Sequence, residues 1–289
     1  MKAIEYQAPE QFSFVDVPDP VPAPDEVLIR VKANGVCGTD LHIHKGEFLA
    51  EFPLIPGHEI AGEIVEIGSA VRGLAEGDRV VADNTELCGH CFFCRRDQPL
   101  FCENFISHGC NVAGGLAEYV AIKAEKVFPI VNLSWREAVM VEPTACAIHG
   151  MDVIALKPGS EVLLFGAGPT GIVLAQLLKL NGAAHLTVAA PAGPKLDLVK
   201  RLAADEVVPV DRTEYALHRR YLLDKYQHGF DCVVEATGAP ELCEESIQYA
   251  RQGGQIIVYG VYPEAAQISW SPYEIFQREL TIKGSMAQT

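Results

Sequence analysis

Short apolar runs separated by turn-forming residues fill the first half of the chain. They are rich in Val and Ile and are bounded by Pro, Gly or Asp, a pattern typical of β-strands. The clearest of these runs are "EVLIRVKA", "IAGEIVEIG", "DRVVAD" and "GLAEYVAI". Before the first of these runs, "VPDPVPAPDE" indicates a proline-stiffened turn region. Many short strands with few long helical patterns predict a barrel-like or sandwich-like β domain over residues 1–152.

The pattern changes over residues 153–289, where short apolar runs alternate with helical spacing of apolar residues. The predicted strands are "SEVLLFG", "HLTVAA", "EVVPV", "FDCVVEATG" and "GQIIVYGV". The predicted helices are "PTGIVLAQLLKLNG", "GPKLDLVKRLA" and "PELCEESIQYAR". Strands that alternate with helices predict a doubly wound parallel sheet. The fold class expected for the whole chain is therefore a β domain followed by an α/β domain.

Composition and charge exclude several classes of partner. The sequence is 49% hydrophobic and 21% charged, which is ordinary for a soluble protein. Its formal net charge of −15 argues against a nucleic acid or an anionic membrane surface as partner. Neither a signal peptide nor an apolar segment of roughly 18 residues is evident, so we predict no membrane span and a cytoplasmic location.

A glycine-rich turn follows the first strand of the second half. Gly166, Gly168 and Gly171 form the G-x-G-x-x-G pattern of "GAGPTG", with Pro169 and Thr170 between the last two glycines. The motif follows a predicted strand and opens a predicted helix, where backbone N–H groups bind the pyrophosphate of a dinucleotide. A glycine-rich turn without a ligand is the alternative, and the context favours dinucleotide binding.

The end of the next strand bears on the choice between NAD and NADP. Ala189 and Ala190 stand where a carboxylate would bind the adenosine ribose and repel a 2′-phosphate. Lys195 lies just beyond, and Arg212 follows the third strand. These residues favour NADP slightly over NAD, although Lys195 is also compatible with an ordinary solvated position in a helix.

Nine cysteines are present, and an odd number in a long chain without a secretion signal matches a disulfide framework poorly. Four of them lie in "CGHCFFCRRDQPLFC" with the spacing C-x2-C-x2-C-x7-C: Cys88, Cys91, Cys94 and Cys102. Four thiolates fill the coordination shell of zinc, so this spacing predicts a closed, structural zinc site. Free buried thiols and an iron–sulfur centre are the alternatives.

A catalytic metal needs an open coordination position, so its ligands must lie elsewhere. Candidates occur in "NGVCGTDLH" and "PGHEIAGEIVEIG". Cys37 offers a thiolate, His58 an imidazole, and either Glu59 or Glu142 a carboxylate. Each residue alone is weak evidence, and the weight comes from their occurrence beside the cysteine cluster and the glycine motif.

Several segments together resemble the zinc-dependent medium-chain dehydrogenases. They are "GVCGTDLH", "PGHEIAGEIVEIG", "CGHCFFCRRDQPLFC", "GGLAEYV", "VEPTACAIHG" and "VLLFGAGPTGIVLAQLLKLNGA". The resemblance implies a GroES-like β-barrel-type catalytic domain joined to a Rossmann NAD(P)-binding domain. Within the family, "VEPTACAIHG" resembles the sorbitol, xylitol and arabinitol dehydrogenases, in which a Glu replaces the second zinc-ligating cysteine of ethanol-type enzymes.

The resemblance also implies a set of ligands for the catalytic zinc. Cys37, His58 and a carboxylate would hold the metal. Glu59 is the carboxylate ligand seen in many polyol enzymes. Glu142 would lie near the zinc and bind it directly or through water, and Asp40 would accept the second N–H of His58.

Proton and hydride transfer follow by the same resemblance. Thr39 would take the proton of the substrate hydroxyl, and His42 would pass it to solvent through the cofactor ribose. Thr237 and Val261 belong to segments that flank the nicotinamide in the family.

The expected activity is hydride transfer from a secondary alcohol to NAD(P)⁺, with one catalytic and one structural zinc. A polyol is the expected substrate, and threonine-type, formaldehyde-type or simple alcohol dehydrogenases are alternatives, although Glu142 in place of Cys speaks against the last. Family members form dimers or tetramers and usually continue beyond the position of Thr289. A shortened relative that binds zinc and nucleotide without turnover is therefore a second class of function to consider.

Overall fold

The computed structural model describes residues 1–288, and the chain forms two compact units, residues 1–143 and 144–288. The domain boundary expected between residues 152 and 153 lies inside helix Val141–Ile154 and stays a prediction. Within residues 1–288, no helix combines the length and the apolar character that a membrane crossing requires.

The first unit is built mainly from antiparallel β-structure. Its strands are Lys2–Ala8 (β1), Gln11–Asp16 (β2), Glu26–Gly35 (β3), Glu59–Ile67 (β4), Arg79–Ala82 (β5), Thr85–Glu86 (β6), Ile106–Ser107 (β7), Tyr119–Lys123 (β8) and Val127–Pro129 (β9). Five of them form a sheet in the order β8-β3-β4-β5-β9, while β1 pairs with β2 and β6 with β7. Short helices lie at Gly38–His44 (α1) and Trp135–Ala138 (α2).

Apolar side chains of several strands form the core of the first unit. Val27 and Ile29 on β3 are fully buried on one face, whereas the opposite face carries Leu28, which is 8% exposed, and Arg30, which is exposed. Because side chains two residues apart share a face of the sheet, Val27 and Ile29 pack into the same apolar cluster. Ile60 and Ile64 of β4 and Ile122 of β8 join the same cluster.

The second unit contains the parallel sheet predicted from the sequence. Its strands are Glu161–Phe165 (β10), His185–Ala190 (β11), Glu206–Pro209 (β12), Phe230–Glu235 (β13), Ala250–Val258 (β14) and Thr281–Gly284 (β15). Its helices are Val141–Ile154 (α3, shared across the division), Pro169–Leu180 (α4), Pro194–Leu202 (α5), Ala216–Lys225 (α6), Pro240–Tyr249 (α7) and Pro272–Gln277 (α8). All neighbouring strands are parallel, in the order β12-β11-β10-β13-β14-β15.

Strand β10 shows why this sheet is buried on both faces. Val162 and Leu164 pack into one apolar cluster, whereas Leu163 and Phe165 pack into a second cluster. A strand covered by helices on both faces has no polar alternation, which is why "EVLLF" is a continuous apolar run. The order of the sheet reverses between β10 and β13, and ligands of doubly wound folds bind at the carboxyl ends of strands at that point.

The predicted strands and helices over residues 153–289 are confirmed, but strand β15 and helices α3, α6 and α8 were not predicted. Helix α6 is largely polar, with His218 and Leu222 as its buried residues, so its apolar stripe is too narrow to read from the sequence. Strand β15 lies at the sheet edge and is mostly exposed. Helices α3 and α8 each carry Pro in the first turn. Pro is common at the start of a helix, but neither of these prolines was used to predict one.

Candidate metal sites and nucleotide site

Cys37 lies at the start of helix α1 and caps it. Its Sγ accepts a hydrogen bond from the N–H of Thr39 at 3.3 Å, and its own N–H donates to Oδ2 of Asp40 at 2.9 Å. This reciprocal arrangement satisfies N–H groups that a helix start leaves unpaired. The thiol is therefore held in one position by the local sequence "CGTD".

Strand register brings His58 and Glu59 to Cys37. The end of β3 pairs with the start of β4, and Gly35 lies opposite Glu59. Cys37 comes two residues after Gly35 and therefore lies beside His58, which directly precedes Glu59. The sulfur of Cys37 lies 3.2 Å from Nε2 of His58. One ligand atom from each of Cys37, His58 and Glu59 lies within 4.8 Å of the other two. His58 and Glu59 are 4% and 6% exposed, so the ligand atoms are sheltered from water.

A glycine makes room for the carboxylate. A Cβ at Gly35 would overlap Oε2 of Glu59, so any larger side chain would displace the carboxyl group. Gly35 was not singled out from the sequence, because its importance depends on the residue opposite it in another strand. Only the pairing register of β3 and β4 indicates the importance of Gly35.

The charges in this cluster favour a bound cation. Burial, and after it the nearby charge of Glu142, raise the pKa of Glu59 to about 7. Burial lowers the pKa of His58, but the Cys37 thiol and the Asp40 carboxylate outweigh it and raise that pKa to about 9. Metal binding requires the neutral imidazole, so a bound cation would replace this proton among several acidic groups. Sulfur, nitrogen and oxygen donors in a sheltered cluster fit zinc.

The remaining predicted residues lie around this cluster at different distances. Glu142, in the first turn of α3, influences His58 and Glu59 electrostatically, but it is not among the three residues whose ligand atoms lie within 4.8 Å of one another. Oδ1 of Asp40 lies 3.6 Å from Nδ1 of His58, longer than a hydrogen bond. Both atoms are buried, and neither has a hydrogen-bond partner among residues 1–288.

Thr39 and His42 lie three residues apart on helix α1 and are both half-buried. Residues at this spacing are neighbours on one helix face. Nδ1 of His42 lies 2.6 Å from Oε2 of Glu47, a residue that sequence reasoning missed. The structure therefore places both predicted proton carriers on the helix that Cys37 caps.

The four-cysteine lobe has the contacts of a thiolate cluster. The sulfurs of Cys88, Cys91, Cys94 and Cys102 lie within 4.8 Å of one another, and all nine cysteines are free thiols. The N–H of Cys91 donates to Sγ of Cys88 at 3.3 Å, and the N–H of Cys88 donates to Sγ of Cys102 at 3.3 Å. Backbone N–H groups lower the pKa of Cys88 to about 5 and also lower that of Cys91, whereas burial and the neighbouring thiols raise that of Cys94 to about 12. Four such sulfurs fit a closed tetrahedral zinc.

A partly buried hydrogen-bond network lies at the base of this lobe. Oε1 of Glu86, at the end of β6, lies 2.8 Å from Nε2 of His108, and Oε2 lies 2.9 Å from Nζ of Lys123. Burial opposes ionisation, but these two hydrogen bonds lower the pKa of Glu86. Sequence reasoning missed the network because its members are far apart in the chain. It fixes both strands from which the lobe projects.

The glycine turn has the geometry that its motif predicts. Gly168 caps helix α4, and Gly166 has φ +112°. A Cβ at Gly171 would overlap the carbonyl oxygen of Gly166, so the turn is too tight for a side chain there. Pro169 and Thr170 occupy the first turn of α4. The turn lies where the strand order of the parallel sheet reverses.

The segments that contain two other predicted nucleotide residues, Thr237 and Val261, meet at a buried carboxylate. Glu235, at the end of β13, accepts hydrogen bonds from the N–H of Thr237 at 2.7 Å, from the N–H of Gly238 at 3.2 Å and from the hydroxyl of Tyr262. A Cβ at Gly238 would overlap the carbonyl oxygen of Val261. Sequence reasoning missed Glu235 and Tyr262, although the carboxylate of "VEATG" at a strand end was a visible signal.

The residues predicted to select the cofactor are less closely grouped. Ala190 is buried at the end of β11, and Lys195 is exposed in the first turn of α5. Arg212 is also exposed. No carboxylate side chain occupies position 189 or 190, so the repulsive group expected in an NAD-specific site is missing there.

Gly168→Ala is expected to weaken dinucleotide binding at least ~10-fold and to change the free energy of unfolding by less than ~0.5 kcal/mol. A Cβ at Gly168 meets no atom within 4 Å, so the protein alone tolerates it. The added methyl group would instead occupy space that the pyrophosphate needs. Calorimetric titration with NAD and NADP, together with urea unfolding, measures both effects.

Gly171→Ala is the matched control, and its overlap with Gly166 should destabilise the protein by about 1–3 kcal/mol. Unchanged nucleotide affinity in Gly168→Ala would contradict the placement of the pyrophosphate at this turn.

Comparisons with known proteins agree with both halves of this description. Residues 23–132 match the alcohol dehydrogenase GroES-like domain, and residues 169–289 match the zinc-binding dehydrogenase domain. D-arabinitol dehydrogenase 1 of Uromyces fabae is 53% identical over 289 residues, which covers 100% of this chain and 83% of that protein. L-threonine 3-dehydrogenase of Xanthomonas campestris pv. campestris (strain B100) is 35% identical over 293 residues, covering 98% and 84%.

A solved structure shows the same fold. The zinc-binding dehydrogenase of Sinorhizobium meliloti 1021, determined with NADP bound, superimposes with a TM-score of 0.92 at 32% identity. The match covers 99% of this chain and 84% of that one. The expected fold, a GroES-like β domain followed by a Rossmann domain, is confirmed. The chain belongs to the zinc-binding dehydrogenases with an alcohol dehydrogenase GroES-like domain.

Proposed function

We propose that this protein is a zinc-dependent polyol dehydrogenase that transfers a hydride from a secondary hydroxyl group to NAD(P)⁺. The observation that carries the proposal is the set of half-buried Cys37 and buried His58 and Glu59, with ligand atoms within 4.8 Å of one another. Three protein donors leave a tetrahedral metal one position for a substrate oxygen. The 53% identity to a D-arabinitol dehydrogenase supports a polyol as the substrate class.

Cys37, His58 and Glu59 would hold the catalytic metal, with Glu142 contributing negative charge nearby. When bound, zinc supplies Lewis-acid polarisation of the substrate oxygen. The protein orients these ligands through the cap at Cys37 and the register between β3 and β4. Asp40 adds a buried carboxylate beside the ring of His58.

Proton removal would use the face of helix α1 that carries Thr39 and His42. The hydroxyl of Thr39 accepts the proton of the substrate hydroxyl and gives up its own proton. His42, one turn along the helix, receives that proton and releases it to solvent. General acid–base catalysis of this kind requires groups within hydrogen-bond reach of each other in the complex.

The second unit would bind the nucleotide through its glycine turn, with Thr237 and Val261 beside the nicotinamide. NAD(P)⁺ supplies the hydride acceptor when bound. Ala189 and Ala190 carry no repulsive charge, and the exposed residues Lys195 and Arg212 follow strands β11 and β12, so we propose a slight preference for NADP. The solved relative from Sinorhizobium meliloti carries NADP, which supports a nicotinamide dinucleotide as the cofactor.

A second zinc in the lobe of Cys88, Cys91, Cys94 and Cys102 would be structural. Four sulfurs leave no position for substrate, and N–H donors already orient two of them. This site would stabilise the lobe without taking part in the reaction.

Initial rates with D-arabinitol, xylitol, sorbitol, L-threonine and ethanol, each with NAD and NADP, test the proposal. We expect the highest kcat/KM with a polyol, and a lower KM for NADP than for NAD. A preference for threonine would favour the alternative that the 35% identical relative represents. Absence of turnover with every substrate, despite bound zinc and nucleotide, would favour a non-catalytic relative.

We also propose a cytoplasmic location and a homo-oligomer, a dimer or tetramer. The nine free thiols support a reducing compartment. Similarity to the dehydrogenase family supports the oligomer. Cell fractionation and light scattering test the two statements.

A further inference from the structure

The chain doubles back after helix α1 and brings a carboxylate to its predicted proton carrier. Gly46 has φ +80°, a conformation that favours glycine, and the N–H of Glu47 donates to the carbonyl of His42 at 2.9 Å. A Cβ at Gly46 would also lie 2.5 Å from Cγ of Pro9. The segment "HIHKGE" thus folds so that residue 47 lies beside residue 42.

The contact between the two side chains is short and partly sheltered. Oε2 of Glu47 lies 2.6 Å from Nδ1 of His42, and the side chains are 29% and 18% exposed. An ionised carboxylate only accepts hydrogen bonds, so Nδ1 must carry the proton in this contact. When the ring is neutral, Nε2 then carries the lone pair.

The other nitrogen of the ring is left available. Among residues 1–288, no side chain or backbone group makes a hydrogen bond to Nε2 of His42. The second histidine of the helix differs, because Nδ1 of His44 is 3.0 Å from the hydroxyl of Tyr6 rather than from a carboxylate. His42 is therefore the histidine of α1 that is oriented to accept a proton at Nε2.

We propose that Glu47 is a positioning residue for proton transfer: it holds His42 as the Nδ1–H tautomer and stabilises the imidazolium that forms when Nε2 accepts a proton. This inference rests on the proposed function, in which the proton reaches His42 from Thr39. One proton leaves the substrate hydroxyl, the hydroxyl of Thr39 relays it to Nε2, and water removes it from the ring. The hydride leaves separately to NAD(P)⁺, so charge and atoms balance.

The variants Glu47→Ala and Glu47→Gln separate the two roles. Alanine removes both the acceptor and the charge, whereas glutamine keeps an amide oxygen that accepts from Nδ1–H. Glu51→Ala, an exposed carboxylate four residues on, is the matched control. Urea unfolding and zinc content are expected to be the same in all four proteins.

Nitrogen-15 NMR of labelled histidines reads the tautomer directly in the absence of substrate, with His42 assigned by its loss in His42→Asn. We expect Nδ1–H in the wild type and in Glu47→Gln, and a shift towards Nε2–H in Glu47→Ala. In steady-state kinetics, kcat should fall roughly 10–100-fold in Glu47→Ala, with KM changed less than about threefold. The kcat of Glu47→Gln should fall less than that of Glu47→Ala, and the kcat of Glu51→Ala should match that of the wild type.

An unchanged His42 tautomer in Glu47→Ala would overturn the inference, as would an unchanged kcat. Failure of the proposed function would give results that differ from those that overturn the role of Glu47. If the wild type oxidises no alcohol, or if His42→Asn retains full kcat, the proton route is wrong even when the tautomer responds to Glu47 as expected.

Discussion

Replacement of Cys37 by alanine is expected to lower turnover by at least ~10³-fold, which corresponds to about 4 kcal/mol of transition-state stabilisation. Cys37 would supply the thiolate ligand of the catalytic zinc, and its sulfur lies 3.2 Å from Nε2 of His58. Without the thiolate, the imidazole of His58 and the carboxylate of Glu59 remain, and two donors hold zinc weakly.

Metal analysis should show the loss of the zinc at this site with retention of the zinc in the four-cysteine lobe. Alanine also removes the sulfur that accepts from the N–H of Thr39, so helix α1 loses its cap and about 1 kcal/mol of stability. The loss of the cap lowers the free energy of unfolding and leaves nucleotide affinity unchanged. Urea unfolding and nucleotide titration therefore distinguish it from the loss of turnover.

Cys110→Ala is the matched control for this experiment. Cys110 is a buried thiol of the first unit that packs with Ile43 and Leu54 and belongs to neither sulfur cluster. Burial raises its pKa to about 12, so it stays a neutral thiol. Its replacement should leave zinc content and kcat close to wild type. Wild-type turnover in Cys37→Ala would show that the catalytic metal, or the reaction itself, has been assigned to the wrong residues.

The second large effect is expected for Cys88→Ala, which should lower the melting temperature by about 10 °C. Binding free energy at a structural zinc site stabilises the folded chain directly, and the loss of one of four ligands is expected to cost about 4 kcal/mol. The lobe contains short 3₁₀ turns at Cys94–Arg96 and Pro99–Phe101 rather than a core of its own. Without zinc, little else holds its sulfurs together.

The variant should lose the lobe zinc, become sensitive to proteases within residues 88–102, and keep its dinucleotide affinity. Affinity is retained because the turn from Gly166 to Gly171 rests on the separate apolar clusters of the second unit. His90→Ala is the matched control, since His90 is exposed in the same lobe and supplies no sulfur. A stable Cys88→Ala variant with full zinc content would exclude a four-sulfur site.

Local sequence determined how much of the fold could be predicted. The strands β10, β11 and β13 are apolar on both faces and short, so their type and parallel pairing were readable. Helix α6 and strand β15 were not, because α6 buries few residues and β15 lies at an exposed edge. Elements whose stability depends on packing by neighbours carry little signal in their own residues.

The candidate sites divide in the same way. Cys88, Cys91, Cys94 and Cys102 are close in sequence, so their spacing alone indicated a metal site. Cys37 and His58 were recognised through motifs, and the structure brings them together. The supporting residues Glu47 and Glu235 were missed, because a carboxylate gains its role only through the group it contacts, and tertiary structure decides that contact.

The close approach of Gly35 and Glu59 makes these two positions an epistatic pair. A mutation that enlarges residue 35 would displace the carboxyl group of Glu59, so its cost depends on which side chain occupies position 59. The residue types tolerated at position 35 of β3 therefore depend on the metal ligand at position 59. A lineage that altered one of them first would pass through a weakened enzyme.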